Sequence, residues 1–283
     1  MIKDVLSFNI EVITVQELIV KVKEALIRRE VLTIATVNPE FMMEASGNPG
    51  FSLALANSSL RIADGIGIIW AATFIDQPLR FAHRQKLMSA SEAVFRGFWV
   101  GLGVVTSRRI RQSVLPQKIT GVDLSEALFQ FAQQHGASIF LLGEREGIAA
   151  KVARIVEKKY PDIKIAGTFS GDGSEKGDAQ TLNAVGASGA DILLVAYGAP
   201  KQELWIQRNK DKIPAKVAMG VGGTFLFLSG DVKRAPAWVR RMGCEWLFRL
   251  LTQPWRWRRQ LALPRFVVQV IKYKINQQNN QGL

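Results

Sequence analysis

The chain has 283 residues, is 48% hydrophobic and carries a formal charge of +13, which makes it globular, with material for one large domain or two smaller ones. A single cysteine, Cys244, excludes an internal disulfide and a Cys-built zinc site and points to a reducing compartment. The opening thirty residues carry charges and lack the apolar run of a signal peptide, and no apolar stretch approaches the ~20 residues that cross a bilayer.

In chain order, Val5 to Val12 reads as a short strand. Thr14 to Arg29 reads as an amphipathic helix, with Thr14 at the N-cap and Glu17 three residues on, a capping box. Leu32 to Val37 is a β-branched run expected as a buried strand, and Asn38-Pro39 turns the chain out of the sheet into a helix to about Ala45. Thr36 and Asn38 thereby fall at a strand's C-terminal end, where open α/β sheets bind ligands, although strand-end and turn-forming roles suit them equally. The Phe51 to Ala56 stretch leads into Arg61 to Trp70, where Asp64 stands between an apolar run and two glycines. A carboxylate so placed is either a working base or the anchor of an Asp-Gly turn.

Residues 82–115 break the pattern: Arg84, Lys86, Arg96, Arg108, Arg109 and Arg111 surround Phe95, Phe98, Trp99 and Val100. This reads as an amphipathic insertion or lid rather than a core element. Its apolar part, Ala93 to Val105, suits lying on a membrane, not crossing one. From Gly121 the rhythm is regular. Helices over Leu124 to His135, Glu146 to Tyr160, Thr181 to Ser188 and Pro200 to Asn209 alternate with strands over Ser138 to Leu142, Ile163 to Gly167, Asp191 to Ala196 and Lys216 to Gly220. That alternation predicts an α/β fold, a Rossmann-like, mostly parallel sheet with helices on both faces. The body is expected to span 1–230, followed by a basic helical appendage over 231–283.

The charge is segregated. Residues 231–283 hold eleven Lys/Arg against Asp231 and Glu245, residues 80–120 hold eight against Glu92, and the two segments contain five of the seven tryptophans. Cations interleaved with indoles suit an anionic membrane surface and could suit nucleic acid as well. Gly143, Gly198 and Gly222-Gly223 end strands just before helices, where backbone N–H groups can receive a diphosphate. Neither a GxGxxG nor a GxxxxGK[ST] string is present, which argues against dinucleotide and P-loop enzymes. His83 and His135 lie too far apart for zinc-ligand spacing, so no metal and no cofactor are expected.

Thr36-x-Asn38-Pro39-Glu40, Ala63-Asp64-Gly65-x-Gly67, Gly121-x-Asp123-Leu124, Gly198-x-Pro200-Lys201-Gln202-Glu203, Gly220-Val221-Gly222-Gly223 with Lys233-Arg234-Ala235-Pro236, Glu245-Trp246-x-x-Arg249 and Pro254-x-Arg256 occur in one order. Over about residues 5 to 265 the chain resembles the WecG/TagA/CpsF glycosyltransferases. The resemblance implies inverting, metal-independent transfer of an N-acetylmannosamine-type sugar from a UDP donor to a lipid-diphosphate-linked acceptor in cell-surface polysaccharide synthesis. It also implies a peripheral position on the cytoplasmic face of the plasma membrane. By position, Asp64 resembles the family's catalytic base, with Thr36 and Asn38 beside it and Gly198 to Glu203 in the nucleotide site. Arg234, Arg241 and Arg249 resemble residues of the basic segment that meets the lipid diphosphate. Lys118 stands near the place where the family has arginine before Gly-x-Asp-Leu, and residues 82–115 are longer than the family pattern. A nucleotide-binding oxidoreductase and a non-catalytic membrane or nucleic-acid adaptor are the competing readings. Nucleic acid is not the expected partner, and the oligomeric state, a homo-oligomer included, is left open.

Overall fold

The computed structural model of the chain describes residues 2–79, 86–107, 110 and 119–281. In order it runs β1 (Ile2–Val5), β2 (Phe8–Glu11), α1 (Val15–Arg28), β3 (Leu32–Val37), α2 (Pro39–Gly47), α3 (Pro49–Ala56), β4 (Leu60–Ala63), α4 (Ile66–Asp76) and α5 (Lys86–Thr106). The second half continues with α6 (Gly121–His135), β5 (Ser138–Gly143), α7 (Ile148–Lys159), β6 (Lys164–Phe169), α8 (Asp178–Ser188), β7 (Ile192–Ala196), α9 (Lys201–Asn209), β8 (Val217–Gly220) and α10 (Thr224–Leu228). It closes with α11 (Ala237–Arg241), α12 (Glu245–Thr252), α13 (Trp257–Gln260) and α14 (Ala262–Gln281).

The eight strands form one sheet in the order β1-β2-β4-β3-β8-β7-β5-β6, antiparallel only between β1 and β2. The expected α/β class and mostly parallel sheet are therefore present. Alternate strand residues feed opposite faces, as a period of two requires. Ile34, Ile139, Leu141, Ile192 and Met219 pack under α1, α6 and α7, while Ala35, Val37, Phe140, Leu142 and Leu193 face the helices on the other side. Strands buried on both faces read as continuous apolar runs, which is why Leu32 to Val37 carried no alternation.

Local chemistry sets most boundaries. The Thr14 capping box forms, with the Glu17 N–H donating to Thr14 Oγ1 at 3.2 Å and the Thr14 N–H donating to Glu17 Oε2 at 2.7 Å. Asn38 and Asn48 cap α2 and α3 in the same way, each accepting from the N–H three residues on (3.1 and 3.0 Å) and each followed by proline in the first turn. Helix α3 was not expected from sequence. The opening strand is a hairpin instead, turned at Leu6 and Ser7, both with positive φ (54° and 68°); neither residue type signals such a turn.

Two segments pack differently from expectation. Helix α5 is not only a lid: Ala93, Val100 and Val104 are buried in one cluster with Trp70 and Phe74 of α4 and Phe266 of α14, and Trp70 Nε1 donates to the Gly97 carbonyl at 2.9 Å. Its opposite side leaves Phe95, Phe98 and Trp99 exposed. The boundary expected at residue 230 does not separate the packing either. Phe266 and Val270 of α14 are buried with Val5, Ile10 and Phe41, Tyr273 Oη donates to Asp4 at 2.6 Å, and the Leu79 N–H donates to Gln278 at 3.1 Å. The basic residues suggested an appendage, but an apolar face at helical spacing completes the core.

Candidate active site

A cavity of about 980 Å³ opens at the C-terminal ends of β3, β4, β7 and β8 and is roofed by α5 and the helices after residue 237. That is the end of an open parallel sheet at which ligands bind, and the volume suits a nucleotide-sized molecule.

β3 and β4 run in register, Thr36 beside Ile62 and Val37 beside Ala63. The ladder continues one bond further, the Asp64 N–H donating to the Val37 carbonyl at 2.7 Å, so Asp64 leaves the sheet next to Asn38. Thr36, Asn38 and Asp64 all line the cavity. Gly65, at φ 91°, makes the turn that starts α4, and Gly67 lets α4 approach α2, since a Cβ there would stand 2.6 Å from Pro39.

The glycine loops are organised by one side chain. Gln202 Oε1 accepts from the N–H groups of Gly198 at 3.1 Å and Gly222 at 2.9 Å, joining the ends of β7 and β8, and Gln202 Nε2 donates to Glu203 Oε1 at 2.7 Å. Two N–H groups that the glycine pattern offered to a diphosphate are thus already bonded. Gly223 and Gln202 remain on the cavity wall, whereas Pro200, Lys201 and Glu203 lie outside it. Glu203 is buried, and burial pushes its carboxyl up to about 8. Gly143 serves packing: a Cβ there would sit 2.8 Å from the Ala196 backbone. The next residue, Glu144, is the one that reaches the cavity. It has positive φ (63°), its Oε2 is buried with no hydrogen-bond partner among the described residues, and burial pushes its carboxyl up.

The predicted arginines divide. Arg249 lines the cavity, its guanidinium 4.7 Å from the centre of the Phe227 ring. Arg234 does not line it: its Nη2 donates to Thr120 Oγ1 at 3.1 Å and to Asp123 at 2.8 Å, clamping the start of α6. Burial opposes ionisation of Asp123, yet the bonds from Thr120 and Arg234 hold its carboxyl below the usual range. Arg241 is exposed and off the cavity wall. Arg256, quoted in the Pro254-x-Arg256 motif but given no site role, and Arg259, not singled out in the sequence, stand on the wall with Arg249. The Nε atoms of Arg249 and Arg256 are buried without partners among the described residues. Burial, then the charges of Arg259 and Arg249, lower the pKa of Arg256. Arg259 pairs with Glu40 at 3.1 Å. Lys118 lies outside the described residues.

Part of the cavity wall is apolar: Val94, Phe98, Leu102 and Val105 of α5 and Leu263, Val267 and Ile271 of α14 line it. Trp238, Leu251, Trp255 and Trp257 are exposed nearby in the chain, Leu251 to 74% and Trp255 to 73%. No described helix is long and apolar enough to cross a membrane.

Carboxylates of Glu40, Asp64, Glu144 and Glu245 and the guanidinium groups of Arg249, Arg256 and Arg259 thus share one cavity at the mouth of a parallel sheet, and the class of protein is that of the glycosyltransferases. The chain belongs to the WecG/TagA/CpsF glycosyl transferase family, whose model matches residues 3–96 and 81–280. It is 32% identical over 241 residues, covering 85% of this chain and 79% of the relative, to an N-acetylglucosaminyldiphosphoundecaprenol N-acetyl-beta-D-mannosaminyltransferase of Bacillus spizizenii. It is 36% identical over 176 residues, 62% of this chain and 68% of the relative, to the protein of the same description from Bacillus subtilis. The transferase reading thereby prevails over the oxidoreductase and the non-catalytic adaptor.

Proposed function

We propose that the protein transfers an N-acetylmannosamine-type sugar from a UDP donor to the terminal sugar of a polyprenyl-diphosphate-linked acceptor, with inversion and without a metal ion. The observation that carries this reading is the composition of one cavity. Asp64 stands at the sheet end, Arg249 and Arg256 bring buried Nε atoms without partners among the described residues to the same wall, and apolar side chains of α5 and α14 line the rest of that cavity. A buried N–H without an acceptor is costly, so a site that keeps two arginine Nε groups unbonded among the described residues suits a ligand rich in acceptor oxygens, and arginine matches phosphate oxygens in a planar fork. A prenyl chain attached to that phosphate suits the apolar side chains of α5 and α14.

In the reaction, Asp64 accepts the proton of the acceptor hydroxyl as its oxygen attacks the anomeric carbon. The bond from that carbon to the UDP oxygen breaks, and UDP leaves with the electron pair. Attack from the side opposite the departing group inverts the centre, so one base suffices. Thr36 and Asn38 border the same pocket, and Asn38 is fixed by its cap bond to Phe41, which suits them to orienting the sugar. The exposed tryptophans and the surrounding cations fit a peripheral position on the anionic inner face of the plasma membrane, in the synthesis of a cell-surface polysaccharide. The test is incubation with UDP-N-acetylmannosamine and a short-chain prenyl-diphosphate-linked N-acetylglucosamine, with EDTA present. Turnover giving the inverted anomer, read by NMR, supports the proposal. A retained anomer, or activity restored only by added divalent metal, refutes the mechanism, and absence of transfer from any UDP-sugar refutes the donor.

A further inference from the structure

Glu144 is the first residue beyond β5, and its N–H donates to the Ala196 carbonyl of β7 at 3.2 Å, which fixes its backbone against the sheet. At φ 63° it occupies the left-handed region, which L-residues other than Asn, Asp and His seldom adopt and which stores strain when glycine is not used. Its side chain nevertheless enters the cavity and leaves Oε2 buried without a partner among the described residues. The charge of Arg145, the next residue, favours the ionised carboxyl but leaves Oε2 without a hydrogen bond among those residues, and Lys151 of the neighbouring helix is held by an ion pair to Asp231. A strained backbone and a buried carboxyl oxygen left unbonded both cost stability, and their coincidence at a cavity wall indicates that the missing partner is a ligand.

The chemistry of that partner follows from charge and position. A carboxylate repels phosphate, so the partner offers hydroxyl or amide donors. β5 lies four strand spacings from β4, roughly 19 Å, well beyond the ~5–9.5 Å that separates two carboxyl groups acting on one glycosidic bond. Glu144 is therefore no partner to Asp64 in the chemistry. With the transferred sugar at Asp64, it stands toward the far end of an elongated donor, at the nucleoside. A pyrimidine edge presents its one imide N–H between two carbonyls, which a carboxylate meets poorly; a ribose presents two adjacent O–H donors, which the two oxygens of a carboxylate accept together. We propose that Glu144 binds the 2′- and 3′-hydroxyls of the donor's ribose, an inference that rests on the donor reading above.

The test is calorimetric titration of the full chain with UDP, 2′-deoxy-UDP and 3′-deoxy-UDP, for the wild type, Glu144→Gln and Glu144→Gly. The wild type is expected to bind each deoxy compound roughly 10- to 100-fold more weakly than UDP, the range of a lost charge-assisted hydrogen bond. Glu144→Gly, which loses both bonds, is expected to bind all three alike and more weakly than the wild type binds either deoxy compound, while unfolding no earlier, because glycine adopts φ 63° without strain. Glu144→Gln, with one acceptor oxygen left, falls between. Tight UDP binding with no discrimination by the wild type, or discrimination retained in Glu144→Gly, overturns the ribose contact and leaves the donor reading standing. A wild type that binds no UDP overturns both.

Discussion

At the sheet end of the cavity the polar groups answer one another. Gln202 joins the ends of β7 and β8, Asn38 caps α2, and the Asp64 amide is tied to β3. At the helical end the reverse holds: Arg249 and Arg256 bury Nε atoms without partners among the described residues, and apolar side chains of α5 and α14 line open space. The first arrangement stiffens a geometry before substrate arrives, which is what positioning a base requires. The second leaves buried donors open, which an anionic, hydrocarbon-bearing ligand of the kind proposed would satisfy. Glu144, Tyr197 and Glu203 are the exceptions at the sheet end, each with a buried oxygen that lacks a partner among the described residues.

The comparison breaks first at Asp64. Asp64→Asn is expected to lower kcat by ~10²–10⁴-fold, the range of a lost general base, with UDP affinity by calorimetry largely unchanged. A variant with normal turnover would make Asp64 an anchor of the turn and remove the chemical meaning of the sheet end. Next comes Arg256→Gln. Turnover of the lipid-diphosphate acceptor is expected to fall roughly 10- to 100-fold, as for loss of a charged hydrogen bond. The thermal midpoint is expected to hold or rise, because a buried cation beside Arg249 and Arg259 is gone. A falling midpoint instead would mean that the arginine holds the fold. Third, replacing Trp255 and Trp257 together by serine is expected to weaken partition onto phosphatidylglycerol vesicles, by about tenfold if each ring contributes ~0.7 kcal/mol, on the scale of interfacial anchoring by apolar burial and charge. Stability in the absence of lipid should not change, since both rings are exposed.

How much of this could be read from sequence depended on the range of the interaction. The Thr14 box, the Asn38-Pro39 exit from β3 and the alternation after Gly121 are short-range patterns, and the chain obeys them. Asp64 was legible as a carboxylate between an apolar strand and two glycines, and the role of base came to it only through the family resemblance. Helix α3 was missed although Asn48-Pro49 repeats the cap and first turn of α2. Gln202 stood in a recognised motif, but its bond to Gly222 spans 20 residues, so its service to the loops rather than to the ligand was invisible. Arg256 and Arg259 matter only because the helices after residue 237 fold back over the sheet. Glu144 left a single faint signal, an acid where β5 ends in glycine. The apolar face of α14, with Phe266 and Val270 four apart, was visible but outweighed by the charge around it.

Smallest in its effect on turnover, and aimed at the stiff end alone, is Glu203→Gln. Glu203 is buried, gives Oε1 to Gln202 and leaves Oε2 without an acceptor or donor among the described residues, so its carboxyl is pushed up to about 8. At neutral pH it holds its proton when folded, whereas an unfolded glutamate loses it near the ordinary value of 4.5. The folded state therefore binds the extra proton between those two values, and the stability this group contributes declines as pH rises through that window, by at most roughly 1.4 kcal/mol per pH unit. Below about 4.5 the contribution is fully present. Glutamine copies the protonated carboxyl: it keeps an acceptor for Gln202 and cannot ionise. Melting curves of the two proteins should lie together near pH 4 and separate progressively toward pH 8, the variant being the more stable. UDP affinity should follow, because an ionised Glu203 pulls on the Gln202 amide that spaces Gly198 from Gly222. Parallel melting curves across the range would mean that Glu203 is charged throughout, and the sheet end would then hold an uncompensated charge of its own, erasing the contrast with the arginine wall.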